Sequence, residues 1–130
     1  MIGIVIVAHG GLAREYHAAL EHVVGQQSGI QSIAIYTGDD RSTKQQEICA
    51  AAEAVDAGGG VIIVADIFGA SPFNLSKLAC APSNRRIMYG MNLPMLIKLA
   101  KSRTLSVSDA VSRATDAGRK YIDSQNISVD

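Results

Sequence analysis

Ile2-Gly3-Ile4-Val5-Ile6-Val7-Ala8-His9-Gly10-Gly11 opens the chain, an almost wholly apolar run that ends on one imidazole and two glycines. A run of Ile and Val without polar alternation reads as a strand covered on both faces, the pattern of a central strand in a parallel sheet. His9 then stands at the carboxyl end of that strand. In open α/β sheets this edge is where ligands bind, at the point where the strand order reverses. A titratable, nucleophilic imidazole placed there is a candidate for chemistry rather than packing.

Working outward, strand and helix patterns alternate with short connections. Leu12 to Val24 places Leu12, Tyr16, Ala19, Leu20 and Val23 at helical spacing, with Gly25 as the stop. Ile30 to Tyr36 reads as a second strand. Ser42 and Thr43, with Gln45 and Gln46, offer capping-box chemistry to a helix reaching about Ala57, which Gly58-Gly59-Gly60 ends. Val61 to Ala65 is a third buried strand, followed by Asp66. Ser71-Pro72 predicts a helix start with Ser71 as cap and Pro72 in the first position, and Pro82 closes that helix. Arg86 to Tyr89 is a short fourth strand, Pro94 lies in the first turn of the next helix, and Ser106 with Asp109 caps a last helix to about Ile122. Ile127 to Val129 is a detached fifth strand.

Alternation of this kind predicts a small doubly wound α/β fold with a mainly parallel sheet and helices on both faces, because each right-handed crossover returns over one face. The whole of residues 1–130 reads as a single domain. An orphan C-terminal strand suits the sheet edge of a neighbour, which predicts a homodimer.

Composition narrows the function classes. Twelve Lys+Arg balance twelve Asp+Glu, so no net field draws the chain to nucleic acid or to an anionic membrane. Cys49 and Cys80 have apolar neighbours and no CxxC spacing, and read as buried small hydrophobes. The opening run has no basic segment before it and is too short to span a bilayer. A cytoplasmic location is expected.

The carboxyl ends of the strands collect His9, then Asp66 with Ile67-Phe68-Gly69-Ala70-Ser71-Pro72, then Gly90-Met91-Asn92. A nucleophilic imidazole needs a partner on one ring nitrogen, and Asp66 is the natural one. A helix N-terminus opened by Gly69 and Ala70 and begun at Ser71 offers amides to a tetrahedral anion. Nucleophile, orienter and cradle together suit a phosphate carried on histidine. Each part also has a plainer explanation: His9 ending a strand, Asp66 or Ser71 capping a helix, Gly69 making a turn. His17 and His22, five apart, do not share a helix face, which argues against a zinc site with His9. Gly-Ala-Ser71-Pro-Phe is not a nucleophile elbow, which argues against a serine triad. Arg14, Arg41, Lys44, Arg85 and Arg86 read as solvated charges, with Arg14 placed to meet an acidic or phosphorylated partner.

Three motifs in order, Ile-Val-Ala-His9-Gly-Gly-Leu-Ala, Val-Ala-Asp66-Ile-Phe-Gly69-Ala70-Ser71-Pro72-Phe-Asn74 and Gly90-Met-Asn92-Leu-Pro94-Met-Leu, make the chain resemble a known family. It is similar to the IIA domains of the mannose/fructose/sorbose class of the bacterial phosphoenolpyruvate:sugar phosphotransferase system. The resemblance implies a phosphohistidine carrier; no metal site is evident in the sequence and no cofactor is expected. His9 would accept a phosphoryl group from the small carrier HPr and pass it to a histidine of a IIB domain in sugar uptake. Asp66 would orient His9, and Ser71 with its neighbouring amides would hold the phosphate. It also implies a dimer that exchanges a C-terminal strand, antiparallel at the sheet edge. The chain ends about where the fold does and so reads as a separate subunit.

Two other readings are open. One is a stand-alone regulatory IIA protein whose phosphorylation state controls binding to an effector, with the related phosphocarrier domain serving dihydroxyacetone kinase as a further, less favoured variant of the resemblance. The other is a receiver-like domain phosphorylated on Asp66. That one needs acidic residues for Mg²⁺ after strand one, where His9-Gly10-Gly11 stands, and a lysine at a later strand end.

Overall fold

The buried run at the amino terminus forms strand β1 (Gly3–His9), and the other strands assemble around it. The computed structural model describes residues 1–128. In chain order β1 is followed by α1 (Leu12–Val24), β2 (Ile30–Ile35), α2 (Arg41–Val55), β3 (Val61–Ala65), α3 (Ser71–Ser76) and a 3-10 turn over Leu78–Cys80. Then come β4 (Arg85–Met88), α4 (Leu93–Lys101) and α5 (Val107–Lys120). All pairings are parallel, in the order β2-β1-β3-β4. From β1 the chain steps to one side to make β2 and to the other to make β3. The order therefore reverses at β1 and β3, whose carboxyl ends carry His9 and Asp66.

Both faces of β1 are covered, as its lack of alternation predicts. Ile4, Ile6 and Ala8 join Ile62 and Val64 beneath α1, α4 and α5, which contribute Leu20, Leu96, Leu99 and Ala110. Val5 and Val7 join Ile33, Ile35 and Ile63 on the opposite face, beneath Ile48 and Ala52 of α2 and Leu75 of α3. Apolar burial on this scale is worth roughly 1.5–3 kcal/mol per large side chain. Gly3 is the close-approach point: a Cβ there would lie 2.3 Å from the Val55 carbonyl oxygen at the end of α2. Gly3→Ala is expected to lower stability by about 1–3 kcal/mol or more, read as a drop in urea midpoint with an unchanged slope.

Several local expectations are corrected. Helix α2 is capped not by Ser42 or Thr43 but by Asp40, whose Oδ2 accepts from the Thr43 amide at 2.9 Å and the Thr43 hydroxyl at 2.7 Å. These bonds, the hydroxyl's first, hold the Asp40 carboxyl below its ordinary range. A carboxyl with a lowered folded pKa stabilises above the ordinary carboxylate range and loses that contribution as the pH falls through the folded value. Asp40→Ala is therefore expected to lower Tm near neutrality, by a margin that narrows in strong acid, a comparison that thermal unfolding at two pH values makes.

Ser71 is not the cap of α3. Ala70 takes that place in extended geometry, and Ser71 and Pro72 are the first two helical residues. Pro72 needs no amide partner there, so both arrangements satisfy the sequence signal. Arg85 is not a solvated charge but a buried one, donating to Glu53 Oε1 at 2.9 Å, Asp56 Oδ2 at 3.0 Å and the Ala79 carbonyl at 3.1 Å. Burial opposes its charge, and the two carboxylates outweigh that opposition. Cys49 and Cys80 are half-buried rather than enclosed. Burial pushes the Cys80 thiol up to about 11, although Arg85 pulls the other way, so it stays protonated near neutrality. Val23 is exposed, and Tyr36 lies beyond the end of β2. Helix α5 ends at Lys120, and Ile127 and Ser128 take no strand conformation; Val129, the last residue of the expected fifth strand, lies outside the described residues.

Candidate functional site

Parallel pairing brings the carboxyl ends of β1, β3 and β4 to one edge, and each is followed by a loop with a glycine at positive φ: Gly10 at 57°, Gly69 at 77° and Gly90 at 70°. L-residues with a Cβ resist that region, so these turns depend on glycine. Register makes the key contact. Pairing of β3 with β1 ends at Ala65 opposite Val7, and the next amide that would seek a β3 carbonyl is that of His9. The Asp66 side chain meets it instead, Oδ2 accepting from the His9 amide at 3.0 Å. The same oxygen lies 2.7 Å from His9 Nδ1, and Oδ1 accepts from the Ile67 amide at 2.9 Å.

This arrangement determines which ring nitrogen is available. The Asp66 side chain is only 8 % exposed, and burial alone would raise its pKa. The His9 amide and the His9 ring more than offset the burial, so the carboxyl is held below its ordinary value and is ionised near neutrality. An ionised carboxylate only accepts, so the proton sits on Nδ1 and the lone pair on Nε2. The His9 side chain is 48 % exposed, and Nε2 has no hydrogen-bond partner among the described residues. A tautomer fixed from behind, with a free nitrogen facing outward, is the geometry of a nucleophile.

Gly69, Ala70 and Ser71 follow Asp66 on the same edge. Ala70 O accepts from the Asn74 amide at 2.9 Å, and Gly69 O accepts from Asn74 Nδ2 at 2.8 Å. Asn74 thus fastens the loop at two points, a role the sequence reading did not assign. Asn92, placed at this edge by the sequence, caps α4 by accepting from the Met95 amide at 3.0 Å and donates to the Gly118 carbonyl at 2.9 Å. It serves the scaffold. Arg14 is 79 % exposed and lies 3.4 Å from Glu15.

An aromatic cluster was also missed. Phe68 packs on Phe73 and on Tyr89, with ring centroids 4.9 Å apart in each case, and Phe73 meets Tyr89 at 5.6 Å. It ties the loop after β3 to the end of β4 while leaving Phe68 and Tyr89 exposed. The signal was present: both phenylalanines of the chain fall within this one loop and helix.

Residues 3–115 match the family model described as PTS system fructose IIA component. The chain belongs to that family. The chain is 29 % identical over 124 residues to the mannose-specific EIIAB component of Escherichia coli strain K12. That alignment takes in 93 % of the chain but 38 % of the relative, so the chain spans under two fifths of that protein's length. Among solved structures, the phosphotransferase system component EIIA from Streptococcus agalactiae superposes with a TM-score of 0.84 at 26 % identity, covering 95 % of this chain and 97 % of that one. The mannose/sorbose specific IIA subunit from Enterococcus faecalis shares the fold, with a TM-score of 0.85 at 23 % identity over 98 % and 97 % of the two chains. Among the described residues no helix is long and apolar enough to cross a membrane.

Proposed function

We propose that this IIA component is a cytoplasmic phosphohistidine carrier of a single domain, and the observation that carries the reading is the 2.7 Å contact between His9 Nδ1 and Asp66. Nε2 of His9 attacks the phosphorus of a phosphohistidine on an HPr-type carrier. The new N–P bond forms as the donor N–P bond breaks, and the donor imidazole leaves with the electron pair. The proton on Nδ1 stays in place, and the positive charge that develops on the phosphorylated ring faces the Asp66 carboxylate. Transfer to a IIB histidine in sugar uptake is the same step in reverse roles.

Exchange between two imidazoles is nearly isoergic, so the protein's task is alignment and charge shielding. The Ala70, Ser71 and Phe73 amides in the first turn of α3, with Gly69 as the turn, are assigned to the phosphate oxygens. The receiver-like alternative fits poorly, because both Asp66 oxygens already accept hydrogen bonds. We also propose that the C-terminal segment around Ile127 of a second copy lies antiparallel along the free edge of β4. Ile122 and Ile127, 73 % and 77 % exposed, gain cover in such a dimer.

Incubation with phosphoenolpyruvate, enzyme I and HPr tests the reading. The expected product is one phosphoryl group per chain, labile to acid and stable to alkali. An alkali-labile acyl phosphate contradicts it. Whether a IIB protein or a regulatory effector receives the output is decided by which of them takes the label or binds only one phosphorylation state.

A further inference from the structure

Helices α4 and α5 are joined by a short connection and present matching stripes on their outer side. Pro94, Ile97, Lys98 and Lys101 of α4 follow the i, i+3, i+4, i+7 pattern, and so do Arg113, Asp116, Ala117 and Lys120 of α5. Together with Tyr121 they line a trough of about 540 Å³ with an apolar floor of Pro94, Ile97 and Ala117. Four cations face one carboxylate here, on a chain whose formal net charge is zero. None of the five forms an ion pair among the described residues.

Lys98, Lys101 and Lys120 lie in last helical turns, where a cation favours the helix dipole. Arg113, at the middle of α5, has no such explanation, and the dipole does not account for an apolar floor between the charges. The walls are held together independently of any ligand. Asn92 bonds the Gly118 carbonyl at 2.9 Å, and a Cβ on Gly118 would come within 3.1 Å of Met95 Cβ, so the two helices meet closely there. A small molecule is ordinarily enclosed over most of its surface. A trough that lies open between two helices, about 10 Å long over the seven-residue span, instead matches the ridge of a third helix.

We propose that the α4–α5 trough is a docking site for an acidic amphipathic helix of a partner protein, its apolar stripe on Ile97 and Ala117 and its carboxylates on Lys98, Lys101, Arg113 and Lys120. This surface is separate from His9 and does not depend on the carrier reading. The probes are a synthetic helical peptide with leucines at i, i+3, i+4 and i+7 flanked by glutamates, its lysine-for-glutamate analogue, ATP, and phosphatidylglycerol-containing vesicles. The glutamate peptide is expected to bind, to shift the Ile97 and Ala117 amide signals, and to weaken as salt rises. Lys98→Glu combined with Arg113→Glu, both at exposed positions, is expected to weaken it about tenfold or more. The variant should keep its Tm and its phosphate acceptance on His9. Absence of binding, equal binding of the lysine analogue, or shifts elsewhere would overturn the proposal. Capture of ATP or vesicles by the wild type but not the variant would overturn it too, by assigning the cations to a different class of ligand.

Discussion

His9→Ala is expected to accept no phosphoryl group from a phosphorylated HPr-type carrier, a complete loss read by intact-protein mass or radiolabel. The other two histidines are poorly placed to substitute. His17 and His22 lie along α1, His17 with Nε2 3.6 Å from Glu21, and neither stands at the strand edge beside Asp66. The loss is not one of folding. The His9 side chain is half exposed, and the bond from its backbone amide to Asp66 survives removal of the ring. A variant with wild-type Tm and no label isolates the nucleophile; label retained on His9→Ala defeats the assignment.

Asp66→Ala is expected to slow phosphoryl acceptance by roughly 10²- to 10⁴-fold, the range over which loss of an orienting carboxylate acts on a histidine. Without Oδ2 the ring is free to rotate, its proton is free to move to Nε2, and the charge on the phosphorylated ring has no counterion. Asp66→Asn keeps an acceptor without the charge and should fall between. Unlike His9→Ala, Asp66→Ala also affects the scaffold, because the His9 and Ile67 amides lose their partner. That costs about 1–3 kcal/mol. The pH dependence has a defined direction. The Asp66 carboxyl is held below its ordinary range when folded, so its stabilising contribution is present above that range and disappears as the pH falls through the lowered value. The stability gap between wild type and Asp66→Asn should therefore close in acid. A phosphorylation rate for Asp66→Ala equal to the wild type's would reduce the 2.7 Å contact to packing.

What the sequence made legible was the part that rests on period and on strand ends. The unalternating β1 run and the Val61 to Ala65 run announced two strands buried on both faces, and parallel topology then put His9 and Asp66 on one edge. Less legible was anything decided by which of several adjacent polar groups wins. Asp40 displaced Ser42 and Thr43 as the cap of α2 because a carboxylate two or three residues earlier reaches the Thr43 amide and hydroxyl together. Arg85 looked like a surface charge because Glu53 and Asp56, its partners, lie far from it along the chain. The Phe68, Phe73 and Tyr89 cluster needs two loops to meet, and no helical or strand period connects them. Ser71 shows the finer limit: a Ser-Pro pair marks a helix start, but placing the cap at Ala70 or Ser71 depends on a backbone angle that either residue tolerates.

The proposed transfer turns on Asp66 holding Nδ1 so that Nε2 carries the phosphate. Its most direct test is ¹⁵N and ³¹P magnetic resonance of the phosphorylated protein labelled at histidine. The expected result is a phosphorus coupled to Nε2 of His9 with a proton retained on Nδ1. Phosphorus on Nδ1, on another histidine, or as an acyl phosphate on Asp66 would contradict it.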